Sequence, residues 1–63
     1  MKLDPRRTFN ESERRSILAA SGGLCQLCQT ALDPDDAEID HIVPWIRGGK
    51  TTVENGRAVH WNM

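Results

Sequence analysis

Two short groups of residues hold most of the side chains that could do chemistry. Cys25-x-x-Cys28 places two thiols at a spacing that lets one turn aim both sulfurs at a single tetrahedral zinc. Asp40-His41 joins a hard oxygen ligand for a divalent cation to a base that titrates near neutral pH. Metal-assisted hydrolysis of a phosphodiester requires groups of both kinds.

Each group also has simpler interpretations. Two cysteines at this spacing could be small half-buried residues or a thioredoxin-like redox pair, although no βαβ pattern surrounds them. An isolated Asp-His pair is usually a surface pair at a strand end, and Asn55 alone is an ordinary turn or cap residue. For the cysteines a structural zinc is favoured, because a lasting disulfide does not suit a reducing compartment.

The length and charge of the chain limit its class. A chain of 63 residues forms one small domain, and a core of this size usually needs a metal, a disulfide or a partner chain. The net charge of -1 gives no global attraction to nucleic acid, but four arginines fall in the first quarter of the chain: Arg6, Arg7, Arg14 and Arg15. Without a signal peptide or a run of about 20 apolar residues, a cytoplasmic protein that does not contact a membrane is expected.

One helix is predicted over residues 11–20. Asn10 and Glu13 have the spacing of a capping box at its start, and Gly22 follows as the kind of residue that closes a helix C-terminus. Residues 1–9 lack periodicity and are expected to form an arm that is ordered only if something docks on it. Residues 10–63 would then form the functional core.

Two short strands are predicted in the second half of the chain. Residues 37–43 are rich in β-branched side chains and stop at Pro44, and residues 57–60 could return as a second strand after a single turn at 53–55. Both tryptophans are expected to pack in the small core rather than to stack on bases. The predicted order is helix, cysteine knuckle, strand, loop and strand.

Together these features resemble a known family. The motifs occur in the order and at the spacing of the zinc-containing branch of the HNH endonucleases: Cys25-x-x-Cys28, Asp40-His41-Ile42-Val43-Pro44, Gly48-Gly49 and Asn55. The resemblance covers residues 24–63 and implies the ββα-metal fold. This chain would then be a small α+β domain with an N-terminal helix, a zinc knuckle and a two-stranded ribbon whose closing helix is missing or truncated.

The resemblance also implies a role for each site residue. His41 would be the general base that activates the attacking water, and Asp40 would hold a catalytic Mg²⁺ or Mn²⁺. Asn55 would brace the loop that carries His41, and DNA would be the substrate. Three residues would bind a structural Zn²⁺: Cys25, Cys28 and His60. By its type alone, His60 could equally be a half-exposed strand residue.

Two departures from the family pattern bear on activity. In the family, a second zinc-binding pair follows the central asparagine and is succeeded by a final His or Asn. Here His60 and Met63 occupy the positions of that pair, the final residue would be position 64, and Asn62 lies two places too early to replace it. The 63-residue chain is therefore expected to have little nuclease activity, whereas an extended chain would cut DNA. The alternative is a non-catalytic zinc-binding module that binds nucleic acid.

Overall fold

Helix α1 spans Glu11–Ser21 in the computed structural model, which describes residues 2–61. The Asn10 side chain accepts the Glu13 N–H at 2.8 Å, and the Glu13 carboxylate accepts the Asn10 N–H at 2.9 Å. At the other end Gly22 has a φ of 66°, the left-handed conformation that closes a helix. The predicted capping box and glycine stop are both confirmed.

Two antiparallel strands form the sheet, β1 at Ala37–His41 and β2 at Gly56–His60. The predicted α+β class, with one helix and a two-stranded ribbon, is confirmed. The predicted end of the first strand at residue 43 was wrong by two residues. The Ile42 N–H still donates to the Asn55 backbone carbonyl, but the Val43 N–H is taken by the Asn55 side chain rather than by a strand partner.

The core lies between α1, the cysteine knuckle and β2 and is small. Its buried members are Ile17, Cys25, Leu32, Ala58 and Val59. Trp61 is 65% exposed, so the expectation that it packs in the core was wrong. A core of five residues is below what usually stabilises a domain of this size without a metal or another staple.

The N-terminal arm docks on its own chain. The Asp4 carboxylate accepts the Thr51 N–H at 2.9 Å, and the Asp4 carbonyl accepts the Trp45 Nε1–H at 2.9 Å. The hydrogen bond from Thr51, followed by one from the Arg6 N–H, lowers the pKa of the Asp4 carboxyl. This docking places Arg7 and Phe9 close to β1. The division of the chain into an arm of residues 1–9 and a functional core of residues 10–63 stays a prediction. Among the described residues no helix has the length and apolar character to cross a membrane.

Candidate functional site

The cysteine knuckle, Cys25 to Cys28 between α1 and β1, is held on β2 through Gln26. Its N–H donates to the Ala58 carbonyl at 2.8 Å, and its side-chain oxygen accepts the Ala58 N–H. The knuckle closes with a 2.7 Å hydrogen bond from the Gln29 N–H to the Cys25 carbonyl, with Gln29 at a φ of 60°. These contacts bring the two cysteines to the end of β2, where His60 lies.

Cys25, Cys28 and His60 form a cluster of metal-ligating side chains. One ligand atom from each lies within 4.8 Å of the others, and the Cys28 Sγ is 3.7 Å from the His60 Nδ1. Two ligands of one tetrahedral zinc are separated by about 3.5 to 3.8 Å, given ordinary Zn–S and Zn–N bond lengths. The structure therefore brings together the three residues predicted as zinc ligands, in an arrangement that could hold a metal ion.

Hydrogen bonds prepare two of these ligands for a cation. The His60 Nε2 lies 3.3 Å from the Ala31 carbonyl, which can only accept, so Nε2 carries the proton and the Nδ1 lone pair is available. The Cys28 N–H lowers the pKa of the Cys25 thiol to about 6 against the opposing effect of burial, with smaller help from the N–H groups of Leu27 and His60. The thiolate thus favoured is the form that binds a metal.

A fourth member of this cluster is not present among His, Cys, Asp and Glu side chains of residues 2–61. The sequence places Met63 at the corresponding motif position and Asn62 near the final one. Both of these residues lie outside the described part of the chain.

Asp40 and His41 stand at the end of β1 and line one open pocket of about 310 Å³. Their side chains alternate along the strand, with Asp40 exposed and His41 half-buried. Because the strand ends at His41, the alternation does not separate them, and both reach this pocket. Arg7 and Arg57 line it as well.

The His41 imidazole is held in one tautomer by the buried Thr51. The Thr51 hydroxyl has a single proton, which it donates to the Arg6 carbonyl. The His41 Nε2 lies 3.0 Å from the Thr51 oxygen, which can therefore only accept from it. Nε2 thus carries the proton. The lone pair of His41 is then on Nδ1. The Phe9 ring packs beside the imidazole, with 4.7 Å between the ring centroids.

Both oxygens of the Asp40 carboxylate contact other groups of the chain. Oδ1 accepts the His41 N–H at 3.0 Å, and Oδ2 lies 3.1 Å from the Arg57 Nη2. Asp40 nevertheless keeps 52% of its side chain exposed, so its lone pairs remain accessible from the pocket. A half-exposed carboxylate is a suitable ligand for a hydrated divalent cation.

Asn55 fastens the loop that follows β1. Its side-chain oxygen accepts the Val43 N–H at 2.9 Å, and its amide nitrogen donates to the carbonyls of Val43 at 3.1 Å and Lys50 at 2.8 Å. The loop is so closely folded that a Cβ at Gly49 would collide with the Val43 carbonyl. Asn55 does not line the pocket of Asp40 and His41. Its predicted part in activity would act through the loop and stays a prediction.

Asn55→Ala is expected to lower the free energy of unfolding by about 1 to 3 kcal/mol, because one N–H and two carbonyls lose their partner. Asn55→Asp should cost more, since a carboxylate would face both carbonyls. Urea unfolding followed by circular dichroism measures both changes. The neighbouring exposed Glu54→Ala is the control, and an equal loss in Glu54→Ala and Asn55→Ala would show that the hydrogen bonds do not brace the loop.

Three arginines near the N-terminus differ in what their guanidinium groups contact. The Arg6 guanidinium forms a 2.7 Å ion pair with Glu13, and the Arg14 guanidinium donates to backbone carbonyls, so both are engaged in the fold. Arg7 instead lies over the Trp45 ring, with 4.8 Å from its Cζ to the ring centroid, and faces the pocket. Of these three arginines, Arg7 is the one that lines the pocket of Asp40 and His41.

Thr51 is the site residue that the sequence did not single out. It is fully buried, and its partners Arg6 and His41 lie 45 and 10 residues away along the chain. A threonine in a loop carries no local signal for such a role, because only the folded arm brings its partners together. The ion pair of Asp40 with Arg57 was missed for a related reason, since it depends on the register of β1 against β2.

Comparison with known proteins bears on the same segment of the chain. A family model described as HNH endonuclease matches residues 25–62, more than half of the chain. The matched range includes every residue that the sequence assigned to the two sites. No curated protein matches this chain.

Proposed function

The chain belongs to the HNH endonuclease family, and we propose that it hydrolyses phosphodiester bonds in DNA with His41 as the general base and a divalent ion on Asp40. The observation that carries this proposal is the pocket at the end of β1, where a carboxylate and an oriented imidazole meet beside two arginines. A base, a hard cation ligand and positive charge are the groups that phosphodiester hydrolysis requires.

His41 would act at Nδ1, because its Nε2–H is held by Thr51. The attacking water would transfer a proton to Nδ1 while its oxygen forms a bond to phosphorus. As this new bond to the water oxygen forms, the bond from phosphorus to the leaving oxygen would break. Thr51 and Phe9 restrict the imidazole, so the orientation of the base is set before substrate arrives.

Asp40 would hold the catalytic ion, with Mg²⁺ or Mn²⁺ as the proposed species. Such an ion would stabilise negative charge on the phosphate and the leaving oxygen. The donor chemistry fits, because both ions prefer carboxylate oxygens and Mg²⁺ usually keeps several waters. The half-exposed position of Asp40 leaves space for those waters.

The cluster of Cys25, Cys28 and His60 would bind a structural Zn²⁺. Two sulfurs and an imidazole are ligands that suit zinc, whereas Mg²⁺ and Mn²⁺ prefer oxygen. The ion would join the knuckle, whose Cys25 belongs to the small core, to the end of β2. This position supports a structural rather than a catalytic part.

A non-catalytic zinc-binding nucleic-acid module is the second candidate. The observation in its favour is the ion pair between Asp40 and Arg57, because it engages one oxygen of the proposed metal ligand. A plasmid-nicking assay with Mg²⁺ and Mn²⁺ separates the two candidates. Metal-dependent nicking that is lost in Asp40→Asn supports the nuclease, and DNA binding without nicking supports the module.

Arg7 is the arginine that we expect to bind a DNA phosphate. It lines the pocket with Asp40 and His41, and it forms none of the ion pairs seen between residues 2 and 61. Trp45 orients its guanidinium, and the Trp45 indole is itself fixed by the Asp4 carbonyl. A guanidinium held in this way can bind phosphate with little further ordering.

Arg7→Gln is expected to weaken binding of duplex DNA by roughly threefold to tenfold and to reduce the slope of log affinity against log salt by about one. Fluorescence anisotropy at three salt concentrations measures both quantities. Arg15→Gln is the matched control, since it removes the same charge from the exposed side of α1. Equal effects of the two substitutions would contradict a specific phosphate contact at Arg7.

A further inference from the structure

Asp40 and Arg57 face each other across the two strands. They are partners in the ladder of β1 and β2, and the Arg57 Nη2 is 3.1 Å from the Asp40 Oδ2. The other oxygen, Oδ1, accepts the His41 N–H. The carboxylate that would receive the divalent ion is therefore already paired with a cation of the same chain.

The Arg57 guanidinium is incompletely paired in this position. Its Nε is buried and has no hydrogen-bond partner among the described residues, so a single Nη2 contact holds it to Asp40. An arginine usually gains most from a carboxylate or phosphate by using two donors at once. The pair with Asp40 is thus weaker than a two-donor pair. An anion that binds Arg57, or a cation that binds Asp40, can therefore separate the two side chains.

We propose that Arg57 competes with the divalent ion for Asp40 and so limits metal affinity until Arg57 moves away. The inference rests on the proposed function, because it takes Asp40 as a metal ligand. Its physical basis is the repulsion between a guanidinium and a divalent ion that share one carboxylate. Arg57 also lines the pocket, so a guanidinium released from Asp40 stays beside the site where a DNA phosphate would lie.

Substitution of Arg57 should therefore raise the affinity of Asp40 for the divalent ion, although Arg57 lines the same pocket. Arg57→Gln is expected to bind Mn²⁺ about threefold to tenfold more tightly than the unchanged protein, in the absence of DNA. Arg57→Lys keeps the charge and should bind nearly as weakly as the unchanged protein. Arg15→Gln is the control for a general change of charge. Isothermal titration of zinc-loaded 63-residue protein with Mn²⁺ gives these affinities.

An affinity that is unchanged or lower in Arg57→Gln would overturn the inference, and a lower one would mean that Arg57 positions Asp40 for the ion. Asp40→Asn separates this failure from failure of the proposed function. If Asp40→Asn binds Mn²⁺ as tightly as the unchanged protein, Asp40 is not the ligand and both ideas fail. If Asp40→Asn loses Mn²⁺ binding while Arg57→Gln binds Mn²⁺ no more tightly than the unchanged protein, only the competition is wrong.

A second measurement needs no substitution and covers the case in which Arg57→Gln does not fold. In the unchanged protein, the NMR signal of the Arg57 Nε–H should shift as Mg²⁺ is added, with the same midpoint as Mg²⁺ binding. A signal that remains fixed when the site is saturated with Mg²⁺ would overturn the competition. A shift with that midpoint would support it.

Discussion

An excess of a zinc chelator is expected to unfold this domain. The buried core has only five members, and one of them, Cys25, is itself a proposed zinc ligand. A core in a chain of this length rarely supplies more than about 3 to 5 kcal/mol, whereas zinc binding to small domains contributes about 10 to 16 kcal/mol. Far-UV circular dichroism should therefore lose the helical signal on chelation and recover it when Zn²⁺ is restored.

Substitutions within the knuckle distinguish a ligand from a merely structural residue. Cys28→Ser should lose both bound zinc and the helical signal. Leu27→Ser is the matched control, because Leu27 lies between the two cysteines and is 47% exposed. It should keep about one zinc per chain. An unchanged spectrum and melting temperature in excess chelator would refute the dependence of the fold on metal.

The helix was predictable because its signals are local. Asn10 and Glu13 are three residues apart, and their hydrogen bonds form wherever the chain is helical. The end of β1 was not predictable in the same way. Residues 42 and 43 have strand-forming side chains, but Asn55 takes the Val43 N–H from 12 residues away. A contact over that distance outweighs local β propensity, and no property of residues 42 and 43 indicates it.

The candidate sites show the same division between local and distant signals. The spacing of Cys25 and Cys28 is a local feature and predicts a metal ligand pair directly, whereas His60 joins them only because Gln26 docks the knuckle on β2. The resemblance to a family supplied what spacing could not, namely the pairing of distant motifs. It could not supply Thr51 or Arg57, since their contacts depend on the arm and on the strand register of this chain.

His41→Ala is expected to reduce DNA cleavage by about a hundredfold to ten-thousandfold, the usual contribution of a positioned general base. Metal affinity should change little, because Asp40, and not His41, is the proposed ligand. The measurement is nicking of supercoiled plasmid with Mg²⁺ or Mn²⁺, performed with the 63-residue chain and with a version of it extended by a zinc ligand and a final His. Glu38→Gln, on the exposed face of the same strand, is the control.

The environment of His41 allows its role as a base to be separated from a role in packing. Thr51→Val removes the acceptor of the Nε2–H but leaves the imidazole in place, so it should slow nicking by roughly tenfold, less than His41→Ala does. Added imidazole should restore part of the activity of His41→Ala, because a small base can enter the open pocket. A packing defect would not respond to imidazole. Nicking that survives His41→Ala at full rate would show that another group removes the proton from the attacking water.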